Sequence, residues 1–269
     1  MNFKNKRVWI TGASSGIGEA VAYAFARQAA HLVLSARSAT VLHAVADKCV
    51  ALGAAKAVVV CIDVANEDML SQLAANYDHA IGPVDILINS SGISQRSVVM
   101  DTSMAVYKQL MAVNYLGSVA ITKMVLPGMV KQGSGHIVAI SSVSGKLGAP
   151  LRSGYSASKH ALHGFFDCLR SEVTHLGLKV LLVCPGYINT NISVNALNAQ
   201  GQPTGKMDDN QANGMMPEVL ADRILRAIQK GKREINVGGK EVIGIYLKRF
   251  LPGLLAKILQ KQAAKQAMV

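Results

Sequence analysis

Hydrophobic and polar positions along the chain form two alternating kinds of block. Short apolar runs rich in β-branched residues stand at 7–12 (RVWITG), 31–36 (HLVLSA), 57–63 (AVVVCID), 84–92 (VDILINSSG), 136–142 (HIVAISS) and 179–186 (KVLLVCPG). Their length and composition are those of strands buried on both faces. Between them, apolar residues recur at helical spacing, predicting helices over 17–27, from 40 onward, across 69–81, over 105–130, and from Tyr155 toward His175. Strand and helix in regular succession predict an α/β fold: a Rossmann-like, doubly wound parallel β-sheet with helices on both faces, in a single domain.

The pattern changes after Gly186. Residues 189–216 are rich in Asn, Gln, Gly, Asp and Met without sustained periodicity, which predicts a long loop covering a substrate site. Met207, Met215 and Met216 either line that lid or fill gaps. Pro217 then suits a helix's first turn, with Leu220, Ile224, Ala227 and Ile228 at helical spacing and Gly231 at its end, before a short strand at 234–239. The expected organisation is a nucleotide-binding domain over 1–240, including the 189–216 loop, and a basic, amphipathic helical tail over 241–269.

Composition narrows the function classes. The 269 residues carry a formal charge of +12, and half are hydrophobic while only 5% are aromatic. The cations cluster partly in the tail, but no aromatics interleave with them, so nucleic-acid binding is not expected. Cys49, Cys61, Cys168 and Cys184 are too scattered for a zinc site or a disulfide framework and read as buried thiols. His160, His163 and His175 show no metal-ligand spacing, and Arg7 reads as a solvated charge. The opening residues pass straight into a strand without a long apolar segment, so the expected location is cytoplasmic. In the tail, Leu247, Leu251, Leu254, Leu255 and Ile258 form an apolar row flanked by Arg249 and Lys257, while Lys261 and Lys265 rotate back toward it. That row suits either a membrane surface or a partner subunit.

Candidate chemistry begins at Thr11–Gly18, TGASSGIG, directly after the first strand. Glycines at 12, 16 and 18 permit a tight turn and close approach of backbone to a pyrophosphate, and the following helix directs free N–H groups at the anion. At the end of the second strand, where an acidic residue would hold a ribose 2′-hydroxyl, the chain has Ala36 followed by Arg37 and Ser38, which favours the 2′-phosphate of NADP(H). Tyr155 stands four residues before Lys159, which places both on one helix face. A neighbouring cation is expected to lower the phenol's pKa toward the range of general acid–base catalysis.

Together these motifs resemble the short-chain dehydrogenase/reductase family over about residues 5–240. The matching pieces are TGASSGIG at 11–18, Asp63-Val64, NSSG at 89–92, Asn114 in MAVNYLG, Ser142 in ISSVSG, Tyr155-x-x-x-Lys159 and CPGYINT at 184–190. The resemblance implies Tyr155 as general acid, Lys159 as the residue that lowers its pKa and binds the nicotinamide ribose, Ser142 as holder of the substrate oxygen, and Asn114 as anchor of a water chain. It further implies cofactor contacts from Gly12, Ser14, Ser15, Gly16, Ile17 and Gly18, from Arg37, Ser38, Asp63, Val64, Asn89 and Gly92, and from Pro185, Gly186, Ile188 and Thr190. The family's usual NNAG is NSSG here, with Ser90 and Ser91 replacing an amide and an alanine. Ser141, adjacent to Ser142, should face the opposite side of the strand.

Within the family, GHIVAISSVSGK, RSGYSASKHALHGFFDCLRSEV and PGYINTNISVNALNAQG most resemble the branch containing 11-beta-hydroxysteroid dehydrogenase type 1 and the dehydrogenase/reductase member 7 proteins. This branch implies NADP(H), a small lipophilic carbonyl or alcohol substrate, a homodimer or homotetramer, and a peripheral membrane position through the tail. The expected activity is hydride transfer between NADP(H) and that substrate, with no metal. The alternatives are a non-catalytic NADP-sensing or membrane-docked scaffold protein, and an NAD-dependent dehydrogenase on the same fold.

Overall fold

Seven apolar runs pair as strands in a computed structural model that describes residues 2–266, with side chains described through 264. The strands are β1 (Arg7–Thr11), β2 (His31–Ala36), β3 (Lys56–Cys61), β4 (Ile86–Asn89), β5 (Gly135–Ile140), β6 (Leu178–Pro185) and β7 (Glu234–Val237). They form one sheet in the order β3-β2-β1-β4-β5-β6-β7, and every pair is parallel. Such strands need cover on both faces because each crossover lays a helix over the sheet.

The helices are α1 (Gly16–Ala26), α2 (Ala39–Ala51), α3 (Glu67–Ala75), α4 (Tyr77–Ala80), α5 (Met104–Met111), α6 (Gly117–Gln132), α7 (Ser153–Val173), α8 (Asp209–Ala212), α9 (Pro217–Gln229), α10 (Ile243–Phe250) and α11 (Pro252–Gln266). One core joins α1, α2 and α9 to the sheet through Phe25, Leu42 and Ile224; the other joins α3, α6 and α7 through Leu73, Val125 and Phe166. Strand order reverses between β1 and β4, and a crevice for ligands opens there beyond the strands' carboxyl ends.

Three local outcomes differ from the sequence reading. The helix expected over 105–130 is interrupted: α5 and α6 are joined by a π-helical turn, Ala112–Leu116, which holds Asn114. One extra residue per turn is a local feature of hydrogen bonding that apolar periodicity does not reveal. The helical span Met104–Gln132, π-turn included, is long and apolar enough to cross a membrane, yet it packs against β4, β5 and α7 in this fold. Arg7 is not simply solvated, because its guanidinium donates to the Ile81 carbonyl at 2.8 Å. Finally, only Cys49 and Cys184 are buried, while Cys61 and Cys168 are exposed.

The apolar row of the tail is divided by the break at Leu251, next to Pro252. Leu247, Leu255 and Leu259 pack with Val143 and Leu147, whereas Phe250, Leu251 and Leu254 are exposed and Ile258, half exposed, also borders the cavity described below. The expected position of the Lys265 side chain lies outside the described residues, as do residues 267–269 of the tail.

Candidate active site

The loop after β1 turns sharply enough to need glycine. Gly12 and Gly16 have φ of +66° and +57°, a region that side chains rarely adopt. A Cβ at Gly12 would also press on the Ser90 and Ser91 backbone, so β1 and β4 approach closely at the crevice. Ser15 is the N-cap of α1 and makes no side-chain cap bond. The first-turn N–H groups of α1 have no helical partners by geometry and suit a phosphate.

This loop opens into a cavity of about 1190 Å³, larger than the 300–1,000 Å³ typical of a single small-molecule site. Gly12, Ser14, Ser15, Gly16, Ile17 and Gly18 line one end, with Arg37, Ser38, Asp63 and Val64 nearby. Gly92, Ser142, Tyr155 and Lys159 line the middle, and Pro185, Gly186, Ile188 and Thr190 continue the wall. Arg37 has an exposed side chain without an intramolecular partner among the described residues, while the Ser38 hydroxyl accepts from Val41 N at 3.4 Å and caps α2. Asp63 accepts from Ala65 N at 3.0 Å, which orders the turn after β3.

Two expected residues lie outside this lining. The Asn89 amide turns away and donates to Thr122 Oγ1 at 3.0 Å, so Ser90 and Ser91 border the cavity in its place. Strand alternation buries the residue that the motif match assigned to the cofactor. Asn114 is also buried, with Nδ2 donating to the Ile93 carbonyl (3.0 Å) and Ser158 Oγ (2.9 Å), and Oδ1 accepting from Ile93 N (2.8 Å). It supports the site from behind: Asn114 Oδ1 and Lys159 Nζ converge beside Gly92.

Lys159 Nζ donates to the Ile140 carbonyl at 2.8 Å and lies 5.8 Å from the centre of the Tyr155 ring. Burial pushes the Lys159 ammonium down to about 8, slightly offset by Cys184. Burial also pushes the Tyr155 phenol above its ordinary value, and a hydrogen bond with Ser142 and the charges of Arg96 and Arg152 act against it. The expectation that Lys159 lowers the phenol's pKa is therefore corrected. Desolvation wins, and the charges that oppose it are those of Arg96 and Arg152. A phenol held protonated at neutral pH is suited to donate a proton rather than to accept one.

Arg96 and Arg152 are residues that motif reading missed. Both line the cavity and both bind Asp208, at 2.6 and 3.1 Å. Burial raises the Asp208 carboxyl, but the two arginines outweigh it and hold it below the usual carboxylate range. One carboxylate against two guanidiniums leaves a surplus positive charge near Tyr155. The 189–216 segment, read as an irregular loop, is anchored through this cluster. It also pairs with 94–96, with Leu197 N donating to the Ser94 carbonyl at 2.9 Å and Arg96 N to the Leu197 carbonyl at 2.8 Å.

Gln95 was missed as well, and carries no signal in the sequence. Fully buried, it places Oε1 on Gly154 N (2.8 Å) and Tyr155 N (3.4 Å), while Nε2 donates to Ser97 Oγ and Thr102 Oγ1, both at 3.1 Å. Arg152, the N-cap of α7, makes no side-chain cap bond, so a distant amide satisfies the helix that presents the phenol.

Spatial clustering of His163, Cys184 and Glu234 also escaped the sequence reading. His163 Nε2 meets Ser141 Oγ at 3.0 Å and Cys184 Sγ at 3.6 Å, and Nδ1 lies 3.9 Å from Glu234. Glu234 is already paired to Lys146 at 2.6 Å, so an ion pair accounts for its place there. Ser141 thus faces His163 while Ser142 faces the cavity, as strand alternation requires.

An open parallel sheet with a glycine turn at its switch point defines a Rossmann-type protein. The short chain dehydrogenase model matches residues 6–201, and the chain belongs to the short-chain dehydrogenase/reductase family. Dehydrogenase/reductase SDR family member 7B of Bos taurus is 40% identical over 269 residues, covering 98% of this chain and 83% of that protein. Dehydrogenase/reductase SDR family protein 7-like of Drosophila melanogaster is 44% identical over 264 residues, with 97% and 81% covered. Among solved structures, a short-chain dehydrogenase/reductase from Burkholderia phymatum in complex with NAD aligns with a TM-score of 0.83 at 25% identity, over 94% of this chain and 96% of that one. An alcohol dehydrogenase from Thermococcus sibiricus complexed with 5-hydroxy-NADP shares the fold, with a TM-score of 0.75 at 23% identity over 88% and 98%. The chain accordingly has an oxidoreductase fold whose structural neighbours bind nicotinamide cofactors.

Two outcomes test this geometry. Gln95→Leu should lower turnover by about tenfold or more through misplacement of Tyr155, and Gln95→Glu, which keeps an acceptor for Gly154 N, should lower it less; steady-state kcat beside the thermal unfolding midpoint measures both. Burial pushes the Lys159 ammonium down to about 8, so turnover that needs this charge in the cavity should hold at neutral pH and decline, in a kcat/KM profile, as pH rises through about 8. A decline first seen near the ordinary lysine value of about 10.4 would contradict the burial of Lys159.

Proposed function

We propose that the chain is an NADP(H)-dependent carbonyl reductase, reversible as an alcohol dehydrogenase, acting on a lipophilic substrate admitted beneath the 189–216 segment. The observation that carries this reading is one cavity shared by the glycine turn, Arg37, Ser142, Tyr155 and Lys159. The residues fit a dinucleotide: first-turn N–H groups free of helical partners for the pyrophosphate and, just after β2, the Arg37 guanidinium, without a partner among the described residues, for a 2′-phosphate. The nicotinamide, when bound, supplies or accepts hydride. Ser142 holds the substrate oxygen and Tyr155 delivers the proton, so that negative charge developing on oxygen during reduction is neutralised.

Lipophilic selectivity rests on the far wall, where Leu147, Leu197, Leu247, Leu255 and Leu259 border the cavity. The surplus charge of Arg96 and Arg152 favours a carbonyl compound that also carries an anionic or strongly polar substituent. The outward face of the tail, with Phe250, Leu251, Leu254 and Ile258 among basic residues, supports a peripheral membrane position on the cytoplasmic side. Family analogy supports a homodimer or homotetramer. The second reading, an NAD-dependent dehydrogenase, draws support from the NAD bound to the Burkholderia phymatum relative.

A panel of hydrophobic ketones, with and without an acidic substituent, tests the reading through carbonyl-dependent NADPH oxidation. Tyr155→Phe should slow every active compound by about 10²–10⁴-fold; equal rates for the two proteins would remove Tyr155 from the chemistry. Arg37→Asp should weaken NADPH binding by about tenfold or more while affecting NADH less. Unchanged NADPH affinity would favour the NAD reading.

A further inference from the structure

Past the carboxyl end of β6, the backbone run Pro185–Asn189 borders the cavity and is held from three sides. Gly186 N donates to the Val237 carbonyl of β7 at 2.8 Å. Met215 N donates to the Tyr187 carbonyl and Asn189 N to the Met215 carbonyl, both at 2.9 Å, which ties the run to the 189–216 segment. The third hold comes from the tail. Glu241 Oε1 accepts from Tyr187 N at 3.0 Å and from Gly239 N at 2.9 Å. One carboxylate oxygen therefore joins the cavity-lining run to the turn from which α10 starts.

Three observations make this more than a surface contact. Glu241 lines the same cavity as Gly186 and Tyr187. A Cβ at either Gly186 or Gly238 would overlap Glu241 Oε1, so two glycines leave room for this one oxygen. Glu241 is also the only acidic residue after Glu234, in a tail otherwise charged by Lys and Arg. Beyond this clamp, Gly244, Leu247 and Leu255 extend the cavity wall, so the tail's placement over the site begins where Glu241 grips the loop.

We propose that Glu241 is a positioning residue that locks the Pro185–Asn189 backbone to the C-terminal helices, so that the cofactor is gripped fully only when the tail is seated over the cavity. The proposal rests on the dinucleotide site described above, and it depends on reach: the carboxylate oxygen must arrive at Tyr187 N. Glu241→Asp keeps the charge but withdraws the oxygen by one methylene, and Glu241→Gln keeps the oxygen but removes the charge.

The test uses the full chain. NADPH binding is followed by nucleotide fluorescence, KM and kcat with an active ketone by absorbance, and protection of the 240–266 segment by limited proteolysis with and without NADPH. Glu241→Asp should weaken NADPH binding by about tenfold and remove the protection that NADPH confers on the tail, and Glu241→Gln should recover most of both. Glu241→Asp with wild-type NADPH affinity and wild-type tail protection overturns the proposal. So does a loss in Glu241→Gln at least as large as that in Glu241→Asp at matched unfolding temperatures, since placing the oxygen at Tyr187 N would then not be enough to restore the grip. Fluorescence binding needs no carbonyl substrate, so a wild-type protein that binds NADPH but reduces no ketone fails the proposed function while leaving this inference intact.

Discussion

Parallel strands with helices on both faces have no free side for polar chemistry. β1, β4, β5 and β6 are buried almost end to end, and the two cores close over them. Polar groups that must meet a ligand are therefore displaced to the carboxyl ends, where strands give way to turns and backbone N–H and C=O groups lose their ladder partners. The glycine turn, Ser142, and the run after Pro185 all sit there. Lys159 and Tyr155 reach the same place from α7, which the sheet holds at a fixed height through the bond from Lys159 Nζ to the Ile140 carbonyl.

Burial then sets the chemistry of that edge. Desolvation raises the phenol and lowers the ammonium, so the pair is adjusted from both sides, with the proton kept on oxygen and loosened on nitrogen. Arg96 and Arg152 temper the phenol while spending much of their charge on Asp208, which belongs to the segment covering the site. Electrostatics near the Tyr155 phenol and the anchoring of the covering segment are consequently one arrangement. Gln95 adds a geometric link, because the backbone that 189–216 pairs with is the same backbone whose side chain caps α7.

Much of the fold was legible because hydrophobic burial has a period. All seven strand regions stood out as runs or short patterns, and Pro217 and Gly231 marked α9 within a residue or two. The glycine turn was legible for a related reason: only glycine suits the backbone at residues 12 and 16, so conformation leaves its mark on residue type. Less visible were features with no period. Periodicity carried no trace of the π-turn around Asn114 or the inward turn of Asn89, whereas the division of the tail's apolar row at Leu251 falls where Pro252 marks a kink. The His163, Cys184 and Glu234 cluster brings together α7, β6 and β7, which are distant in the chain.

By itself, then, the sequence determined the alternation of elements, and through it the parallel sheet, the glycine turn and the Tyr155–Lys159 face, because each leaves its mark on residues close together in the chain. Only the tertiary structure decided that the phenol's pKa rises, that its cationic neighbours are Arg96 and Arg152, that Gln95 caps its helix, and that the basic tail forms a wall of the cavity. Those outcomes depend on desolvation and on contacts between residues dozens of positions apart, such as Gln95 with Gly154 and Arg96 with Asp208. Solvent exclusion and long-range pairing come into being when the sheet and its helices close, and a linear pattern holds no record of them.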